Sequence, residues 1–323
     1  MRDGAVGERV RRFLLLCAVT LSVLLALATL LAWGARRHWF LDLLSHFPVQ
    51  IAATAIVPLA VLIGLRRWKA AILPAVVLAL NAVQFLPACS PAKQPSYSGA
   101  VIRAISANVL RSNRHHAKVI DYIRTERPDF FLVMEIDETW LADLETLRED
   151  YPHCVAQLHR GAFGIALFSR LPIEDHEVVL SETAGVPMIR ATLLIGGHRL
   201  NVLGVHPLPP VGSGNTRKRN GQLREIAALA ASLRNPKLVL GDLNITPWSP
   251  FFNDLLQNGG LRDGRKGFGI QPTWPMRPGF PSLLQIPIGH TLVSDDVEVV
   301  ARQIGHDVGS DHLPVEMEFR IGE

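Results

Sequence analysis

The chain has 323 residues, enough for one large domain or two ordinary ones, and 48% of them are hydrophobic. A mean hydropathy of +0.21 is high for a soluble protein, so part of the chain is expected to meet lipid. The basic pI of 9.2 does not indicate a nucleic-acid-binding surface: residues 1–91 carry nine Lys or Arg against three Asp or Glu, whereas the remainder carries 24 against 26.

Three uncharged apolar segments in the first 91 residues predict transmembrane helices: residues 13–33, 47–65 and 70–88. A run of about 20 apolar residues spans the roughly 30 Å hydrocarbon layer as a helix. Prolines and amides within the second and third segments make them less typical than the first. A signal peptide is the alternative for residues 13–33, but this run is longer than the roughly 7–15 apolar residues of a signal peptide.

Basic residues predict the orientation of these helices. Lys and Arg accumulate on the cytoplasmic side of membrane proteins, and they occur here before the first segment and between the second and third. Arg36 and Arg37 lie on the other side and weaken the pattern. We therefore expect a multi-pass protein of the cell (inner) membrane, with its N-terminus inside and its C-terminal part extracytoplasmic, or periplasmic.

Residues 92–323 are expected to form one compact domain after a polar, proline-containing linker at 90–99. Strand-like segments alternate with helical ones, and a Gly-Gly turn at 196–197 predicts a hairpin. Helices are expected at residues 113–126 and from about Thr216 to Leu233. Adjacent strands with intervening helices predict an α/β (α+β) fold with mixed sheets flanked by helices, in preference to a purely parallel sheet.

Polar residues stand at the ends of several predicted strands, and strand ends on one rim of a layered α/β domain converge. Carboxylates and amide oxygens among them suit Mg²⁺, Mn²⁺ or Ca²⁺, and the histidines suit phosphate oxygens. Each residue alone could be a cap or a loop residue, but together they fit phosphodiester hydrolysis. The candidate site residues are Asn108, Glu135, His206, Asp242, Asn244, Asp311 and His312.

Several motifs of this region, in this order, resemble those of the endonuclease/exonuclease/phosphatase (DNase I-like) superfamily. The similarity covers roughly residues 100–320, and the combination of GDLN…TPW with SDH is its most specific part. Together with the apolar N-terminus, it resembles a bacterial membrane-anchored branch. The motifs are SANVL (106–110), LVMEID (132–137), GIALFSRLPI (164–173), VHPLPP (205–210), GDLNITPWSPFF (241–252), PTWP (272–275) and GSDHLPVE (309–316).

The resemblance implies a four-layer α-β-β-α sandwich and a Mg²⁺- or Mn²⁺-dependent phosphoesterase. By analogy, Glu135 holds the metal, with Asn108 and Asp311 close to it. Asp242 orients or activates the attacking water, and Asn244 contacts the scissile phosphate and aligns Asp242. His206 and His312 stabilise or protonate phosphate oxygens.

Other candidates are weaker. Ser310, Asp311 and His312 are adjacent in sequence and lack a G-x-S-x-G context, which argues against a serine triad. His115 and His116 are interpreted as surface histidines, and RKRNGQLR (217–224) as a solvated helix start in preference to a phosphate-facing patch. Trp274 is expected to pack at the rim of the site.

One position departs from the family pattern. The strand before the final motif usually carries Asp ahead of its histidine or tyrosine, but this chain has Gly289 before His290. In the family that Asp fixes the tautomer of the motif histidine. Reduced activity, a substitute carboxylate such as Asp295 or Asp296, or a binding module without turnover are the possible consequences.

Two functions therefore stay open. The first is a membrane-anchored, metal-dependent phosphoesterase that acts on a nucleic acid or a phospholipid and is tethered to the bilayer by its N-terminal helices. The second is a catalytically impaired, membrane-tethered scaffold on the same fold. No protein partner can be inferred, and fold-level analogy does not choose among substrates.

Overall fold

The computed structural model describes residues 2–91, 96–277 and 279–322, with side chains from Val6 onward. The chain forms two compact units, one of residues 1–87 with 248–250 and the other of residues 88–247 with 251–323. The domain boundary expected between residues 91 and 92 adjoins residues 92–95, which lie outside the described residues.

The N-terminal unit is helical. Its helices are α1 (Arg2–Ala32), α2 (Trp39–Leu44), α3 (Pro48–Gly64) and α4 (Trp68–Cys89). The three apolar segments identified from the sequence thus form most of α1, α3 and α4. By length and composition, Val6–Ala32 and Trp68–Cys89 are able to cross a membrane, whereas Pro48–Gly64 is a shorter apolar helix.

Exposed apolar side chains are concentrated in this unit. Among the described residues, the large hydrophobic side chains that are exposed lie between Val6 and Leu86, apart from five. Apolar surface in water is unfavourable by about 25 cal/mol per Å², so a surface of this kind requires an apolar environment or a partner. The five others are Val101, Leu180, Val211, Leu283 and Leu284.

The second unit contains two six-stranded mixed sheets. The strand order is β11-β12-β1-β2-β4-β3 in the first and β5-β6-β7-β8-β10-β9 in the second. Neighbouring strands are antiparallel except for β1 with β2 and β7 with β8. The strands are β1 (Ile102–Asn108), β2 (Phe130–Met134), β3 (His153–Gln157), β4 (Ile165–Ser169), β5 (Ile173–Leu180), β6 (Pro187–Ile195), β7 (His198–Val205), β8 (Lys237–Asp242), β9 (Arg262–Asp263), β10 (Gly289–Val293), β11 (Val297–Ile304) and β12 (Val315–Ile321).

Helices cover the outer faces of both sheets, which confirms the four-layer α-β-β-α sandwich. Helices α5 (His116–Glu126) and α6 (Glu138–Leu144) share a buried apolar cluster with the first sheet. Helices α7 (Gly212–Ser232) and α8 (Pro250–Gly259) share another with the second sheet. A third cluster joins the facing sides of the two sheets and includes the fully buried Phe130.

The strands expected from the sequence are present, including the hairpin of β6 and β7 and the buried β8. The elements that were not anticipated include β3, β5, α6 and α8. The apolar pattern of β5 is poor because five of its eight residues are exposed along an edge strand, and α6 has only seven residues. Helix α7 begins at Gly212, four residues before the expected start at Thr216.

The two parallel strand pairs determine where a site can form. Strands β1 and β2 are neighbours within the first sheet, and β7 and β8 are neighbours within the second. Because parallel strands end on the same edge of a sheet, residues that follow them are brought together. The register pairs Asn108 of β1 with Met134 of β2, and Val205 of β7 with Gly241 of β8. Each of these four strands ends at a candidate residue or directly before one.

Candidate functional site

The first sheet contributes an amide and a carboxylate. Asn108 is the last residue of β1, and Glu135 directly follows β2. Asn108 Nδ2 donates hydrogen bonds to Glu135 Oε1, at 2.8 Å, and to Asp242 Oδ2, at 3.2 Å. Its Oδ1 accepts the Leu110 N–H at 3.1 Å. The amide therefore bridges two carboxylates through its nitrogen, and its oxygen is turned to the backbone.

Glu135 has an unusual backbone, with φ of 62°. Non-glycine residues in the left-handed region cost about 1–3 kcal/mol and are concentrated at functional sites. The side chain of Glu135 keeps 16% of its surface exposed, so it remains accessible to a ligand. The same backbone region is occupied by Asn244, with φ of 49°.

The second sheet contributes Asp242, the last residue of β8, whose side chain is 3% exposed. Its Oδ1 accepts the Asn244 N–H at 3.0 Å, and its Oδ2 accepts the amide of Asn108. Gly241 allows this arrangement, because a Cβ there would collide with the Val205 carbonyl oxygen. Both carboxylate oxygens of Asp242 are thus fixed in direction.

Asn244 is held by its neighbours on both sides. Its Nδ2 donates a 2.9 Å hydrogen bond to the Pro207 carbonyl oxygen. Its own carbonyl oxygen accepts a 2.8 Å hydrogen bond from Arg219 Nη1 on α7. The structure therefore connects Asn244 to the backbone that follows His206, and its side-chain nitrogen is engaged by protein.

His206 follows β7 and is 4% exposed. Its Nε2 lies 3.8 Å from Asp242 Oδ2 and 3.9 Å from Glu135 Oε1, so it faces both carboxylates. Burial lowers the pKa of His206 below its usual value, although the charges of Asp242 and Glu135 raise it in part. His206 Nδ1 is buried and has no hydrogen-bond partner among the described residues.

The final motif contributes Asp311 and His312, just before β12. His312 Nδ1 lies 3.5 Å from Asp242 Oδ2, and His312 Nε2 lies 3.9 Å from Asp311 Oδ1. Trp274 Nε1 donates a 3.2 Å hydrogen bond to Asp311 Oδ2. Within the part of the chain that the structure describes, the buried Asp311 Oδ1 accepts no hydrogen bond. Such a carboxylate oxygen is costly unless a cation or donor satisfies it.

Gly289 is the Cα partner of Asp242 across the β8–β10 pair. A Cβ at this position would lie 3.1 Å from Val315 Cγ2 and 3.3 Å from Thr273 Cγ2, which leaves little space. Its N–H donates to Thr273 Oγ1 at 3.0 Å, and its carbonyl oxygen accepts from Arg302 Nη2 at 3.1 Å. Side chains from elsewhere therefore hold the end of β10.

The carboxylates that face His312 are Asp242 and Asp311, and the suggested substitutes serve other groups. Asp295 forms a 2.6 Å ion pair with Arg262, and its side chain is 85% exposed. Asp296 acts electrostatically on Lys237. The carboxylates within 4 Å of the motif histidine thus belong to the candidate site itself.

The donor set fits a divalent cation. Glu135 and Asp242 offer carboxylate oxygens that are separated by a single amide nitrogen, and Asp311 Oδ1 is a further candidate ligand. In residues 2–91, 96–277 and 279–322, no group of three or more His, Cys, Asp or Glu side chains is arranged to hold a metal ion by itself. Hard cations such as Mg²⁺ usually keep several waters and take only one or two carboxylates with substrate phosphates, so this arrangement is compatible with such an ion.

The structural roles of three residues in and around the site were missed from the sequence. Ser310 Oγ donates to the Asn108 carbonyl oxygen at 2.7 Å and accepts the His312 N–H at 3.1 Å, which ties the final motif to β1. Trp274 donates to Asp311 instead of only packing at the rim. Arg219 is fully buried, so the interpretation of residues 217–224 as a solvated helix start is wrong for this residue. The sequence of a basic run does not indicate which of its arginines is buried.

His116 was also misassigned. It is 8% exposed, not on the surface, and its ring stacks on Trp140 at 3.7 Å between centroids. Its Nδ1 lies 2.6 Å from Asp143 Oδ2 and its Nε2 lies 3.0 Å from the Asn113 carbonyl oxygen. His116 therefore joins α5 to α6 and is part of the packing, whereas His115 is exposed as expected.

Solved structures share this fold at low sequence identity. An endonuclease/exonuclease/phosphatase from Beutenbergia cavernae is 20% identical, with a TM-score of 0.56 over 69% of this chain and 72% of that chain. TDP2 of D. rerio, complexed with a single-strand DNA product, is 15% identical with a TM-score of 0.57, over 69% and 100%. The 3′ phosphatase NExo from Neisseria, bound to a product DNA hairpin, is 20% identical with a TM-score of 0.56, over 68% and 99%.

No curated protein sequence matches this chain. The model of the Endonuclease/Exonuclease/phosphatase family, however, matches residues 103–312. That range is most of the chain and runs from β1 to the histidine of the final motif, so it includes every candidate site residue. The chain therefore belongs to the endonuclease/exonuclease/phosphatase family and is a hydrolase of phosphoric ester bonds.

Proposed function

We propose that the chain is a membrane-anchored phosphodiesterase that depends on Mg²⁺ or Mn²⁺ and cleaves its substrate by water attack on phosphorus. The observation that carries the proposal is the convergence of Glu135, Asn108 and Asp242 from two sheets, with Asn108 Nδ2 within hydrogen-bonding distance of both carboxylates. Two carboxylates held this close favour a cation between or beside them, because their charges otherwise repel.

Asp242 is proposed to orient the attacking water and to take its proton. The Asn244 N–H and the amide of Asn108 fix its two oxygens, so the carboxylate loses little freedom when the water binds. His206 and His312 face this carboxylate and are proposed to contact the oxygens of the scissile phosphate. Burial lowers the pKa of His206, which favours the neutral imidazole, and His206 is proposed to donate a hydrogen bond to the phosphate in this form.

Glu135, with Asp311 and Asn108 beside it, is the proposed metal position. A bound Mg²⁺ would neutralise the phosphate and stabilise the charge that develops on its oxygens. Asp311 Oδ1 accepts no hydrogen bond from any described residue, and Trp274 directs the second oxygen of the same carboxylate. Asn108 is proposed to act mainly by spacing the carboxylates, since its Oδ1 accepts from Leu110.

The membrane anchor is proposed from the N-terminal unit. Helices α1 and α4 are long and apolar enough to cross a bilayer, and exposed apolar side chains accumulate along this unit. The distribution of Arg and Lys favours a multi-pass arrangement with an inside N-terminus. In this arrangement residues 92–323 form the catalytic domain on the periplasmic side of the inner membrane, as in a bacterial membrane-anchored branch of the family.

Nucleic acids and phospholipids are the two proposed substrate classes. TDP2 and NExo were solved with DNA products, which supports a nucleic acid, whereas a membrane anchor places the site near phospholipids. The second candidate function is a catalytically impaired scaffold, which Gly289 favours because this position carries no carboxylate for His312. The facing Asp242 argues against it.

The test is a substrate screen with the full chain in detergent micelles. Bis-p-nitrophenyl phosphate, single-stranded and duplex DNA, and phospholipids are each incubated with Mg²⁺, with Mn²⁺ and with EDTA. We expect hydrolysis that requires metal and is lost in Asp242→Ala and His312→Ala. Turnover no higher than in these two variants for every substrate would contradict the proposal and support the scaffold.

A further inference from the structure

A polar cavity is lined in part by Asp137 and Glu138, in the segment that directly follows Glu135 and Ile136. It has a volume of about 490 Å³, and Arg111, His159 and Arg160 are among its lining residues. Arg111 and Arg160 are exposed and His159 is half-buried. Two guanidinium groups and an imidazole around one cavity are a typical arrangement for binding phosphate, because guanidinium donors match its oxygens in pairs.

The cavity is connected to the catalytic residues by the chain and by contacts. Asp137, which lines it, follows Glu135 by two residues, so their Cα atoms are at most about 7 Å apart. The Ile136 N–H donates to the Gly164 carbonyl oxygen at 3.2 Å, which fastens the segment after β3 to this stretch. Phe163 in that segment lies 5.3 Å from His206 between ring centroids.

Contacts within the protein position two of the side chains that line this cavity, those of His159 and Arg111. His159 Nδ1 bonds the Arg160 carbonyl oxygen at 2.7 Å, so the opposite ring nitrogen is directed away from this backbone contact. Arg111 donates to the Gly161 carbonyl oxygen at 3.2 Å and pairs with Asp137 at 3.4 Å, which fixes its position. The charge of Asp137 is thereby used within the protein, and Glu138 is the remaining acidic group among the lining residues.

We propose that this cavity binds a second phosphate group of the substrate, next to the phosphodiester that is cleaved. The inference rests on the proposed function and narrows its substrate class to phosphodiesters that carry another phosphate close by. Among the residues proposed to bind this phosphate, Arg160 is the one to mutate. Its side chain is exposed, so a substitution there should disturb the fold least. The negative charge of Glu138 repels the second phosphate. It therefore reduces the preference of the cavity for substrates that carry one.

The test compares substrates that differ by one phosphate, using the full chain in detergent with Mg²⁺. One arm uses the dinucleotide TpT against pTpT, and the other uses glycerophosphoinositol against its 4-phosphate. We expect kcat/KM to favour the phosphorylated member by about tenfold or more in one arm, as for one charge-assisted contact. The arm that shows the preference identifies the source of the phosphate as a nucleotide strand or a lipid headgroup.

Variants assign the preference to the cavity. The ratio of kcat/KM for the phosphorylated substrate to kcat/KM for the unphosphorylated one should fall to about one in Arg160→Glu. It should increase in Glu138→Gln. The matched control is Arg234→Glu, which makes the same charge change at an exposed arginine just after α7 and should keep the wild-type ratio. Equal rates for both members in both arms, or a preference that Arg160→Glu leaves intact, would overturn the inference.

Binding is measured separately by calorimetry in EDTA, so that the result does not depend on turnover. In at least one of the two substrate pairs, the phosphorylated member should bind to the wild type more tightly than the unphosphorylated member does, and Arg160→Glu should abolish this difference. Hydrolysis of bis-p-nitrophenyl phosphate distinguishes the two proposals. If that substrate is cleaved while neither pair shows a preference, the second-phosphate site is wrong and the phosphodiesterase is retained.

Discussion

His312 turns its Nδ1 to Asp242, 3.5 Å from Oδ2. The carboxylate that faces the histidine of the final motif therefore comes from the end of β8 and not from the neighbouring position 289. Asp242 faces His206 as well, at 3.8 Å. One carboxylate thus lies within 4 Å of two imidazoles, and its removal should affect both.

Gly289→Asp should not increase activity. The added Cβ would be tight against Val315 and Thr273, and a new carboxylate would lie beside Asp242, its partner across the strand pair. We expect kcat/KM on bis-p-nitrophenyl phosphate to be unchanged or lower, by up to about tenfold, an effect of about 1.4 kcal/mol. Gly289→Asn has a similar shape without the charge and separates steric from electrostatic effects. A tenfold increase in Gly289→Asp alone would instead support the impaired scaffold.

Asn108→Asp should make the chain more dependent on metal for stability. The change keeps the shape of the side chain but replaces two donated hydrogen bonds by a third negative charge between Glu135 and Asp242. In EDTA we expect a lower melting temperature than in the wild type, with a larger increase on addition of Mg²⁺. Asn108→Ala, which adds no charge, is the control. An identical response to Mg²⁺ in all three proteins would show that no cation binds beside these carboxylates.

Trp274→Phe should lower the apparent affinity of the protein for Mg²⁺. It keeps an aromatic ring but removes the indole N–H that Asp311 Oδ2 accepts. Groups that orient metal ligands typically contribute about 10–100-fold to metal affinity or activity, so the Mg²⁺ concentration for half-maximal hydrolysis should increase by about that factor. Trp140→Phe removes an indole N–H that donates to no described residue and lies in the core beside α5. This control should leave the Mg²⁺ requirement unchanged.

Acid should destabilise the fold through His290. Burial lowers the pKa of His290 to about 4, from an ordinary value of 6.5, although Asp263 raises it in part. Between these values the unfolded chain binds a proton that the folded chain does not, so stability is complete above about pH 6.5 and decreases as the pH falls towards 4. The maximum loss is about 3 kcal/mol, on the order of 1.4 kcal/mol per pKa unit.

The measurement is the melting temperature of the full chain between about pH 7.5 and 4.5, a range that covers most of this titration, followed by tryptophan fluorescence. His290→Gln is the comparison, because Gln can keep a donor for the Ile245 carbonyl oxygen, which lies 2.8 Å from His290 Nε2. The wild type should lose several degrees more than this variant over that range, since about 1 kcal/mol corresponds to roughly 2–4 °C in a domain of this size. Parallel decreases in both proteins would assign the acid sensitivity to other groups.

Much of the second unit could be predicted from its sequence because its central strands are buried on both faces. Strands β1, β2 and β8 are largely apolar runs that end in or directly before polar residues, so both their type and their ends can be recognised. The edge strand β5 has no such pattern, since charged and exposed residues occupy most of it. The short helix α6 has too few residues to show a helical period.

The candidate residues could be identified, but not the contacts among them. Strand-end position predicts that Asn108, Glu135 and Asp242 converge, whereas the direction of the Asn108 amide depends on Leu110 and on both carboxylates at once. The connections made by Arg219 and Ser310 depend on helix rotation and loop geometry. These are determined by tertiary packing, for which local sequence carries no signal.

The amide bridge joins the two sheets, because Asn108 and Glu135 belong to one and Asp242 belongs to the other. Each sheet alone therefore holds only half of the machinery. If one sheet slid past the other by a single residue, about 3.3 Å, the bridge would break while every strand remained intact. Catalytic activity should consequently report the correct docking of the sheets during refolding, and should return later than the secondary structure does.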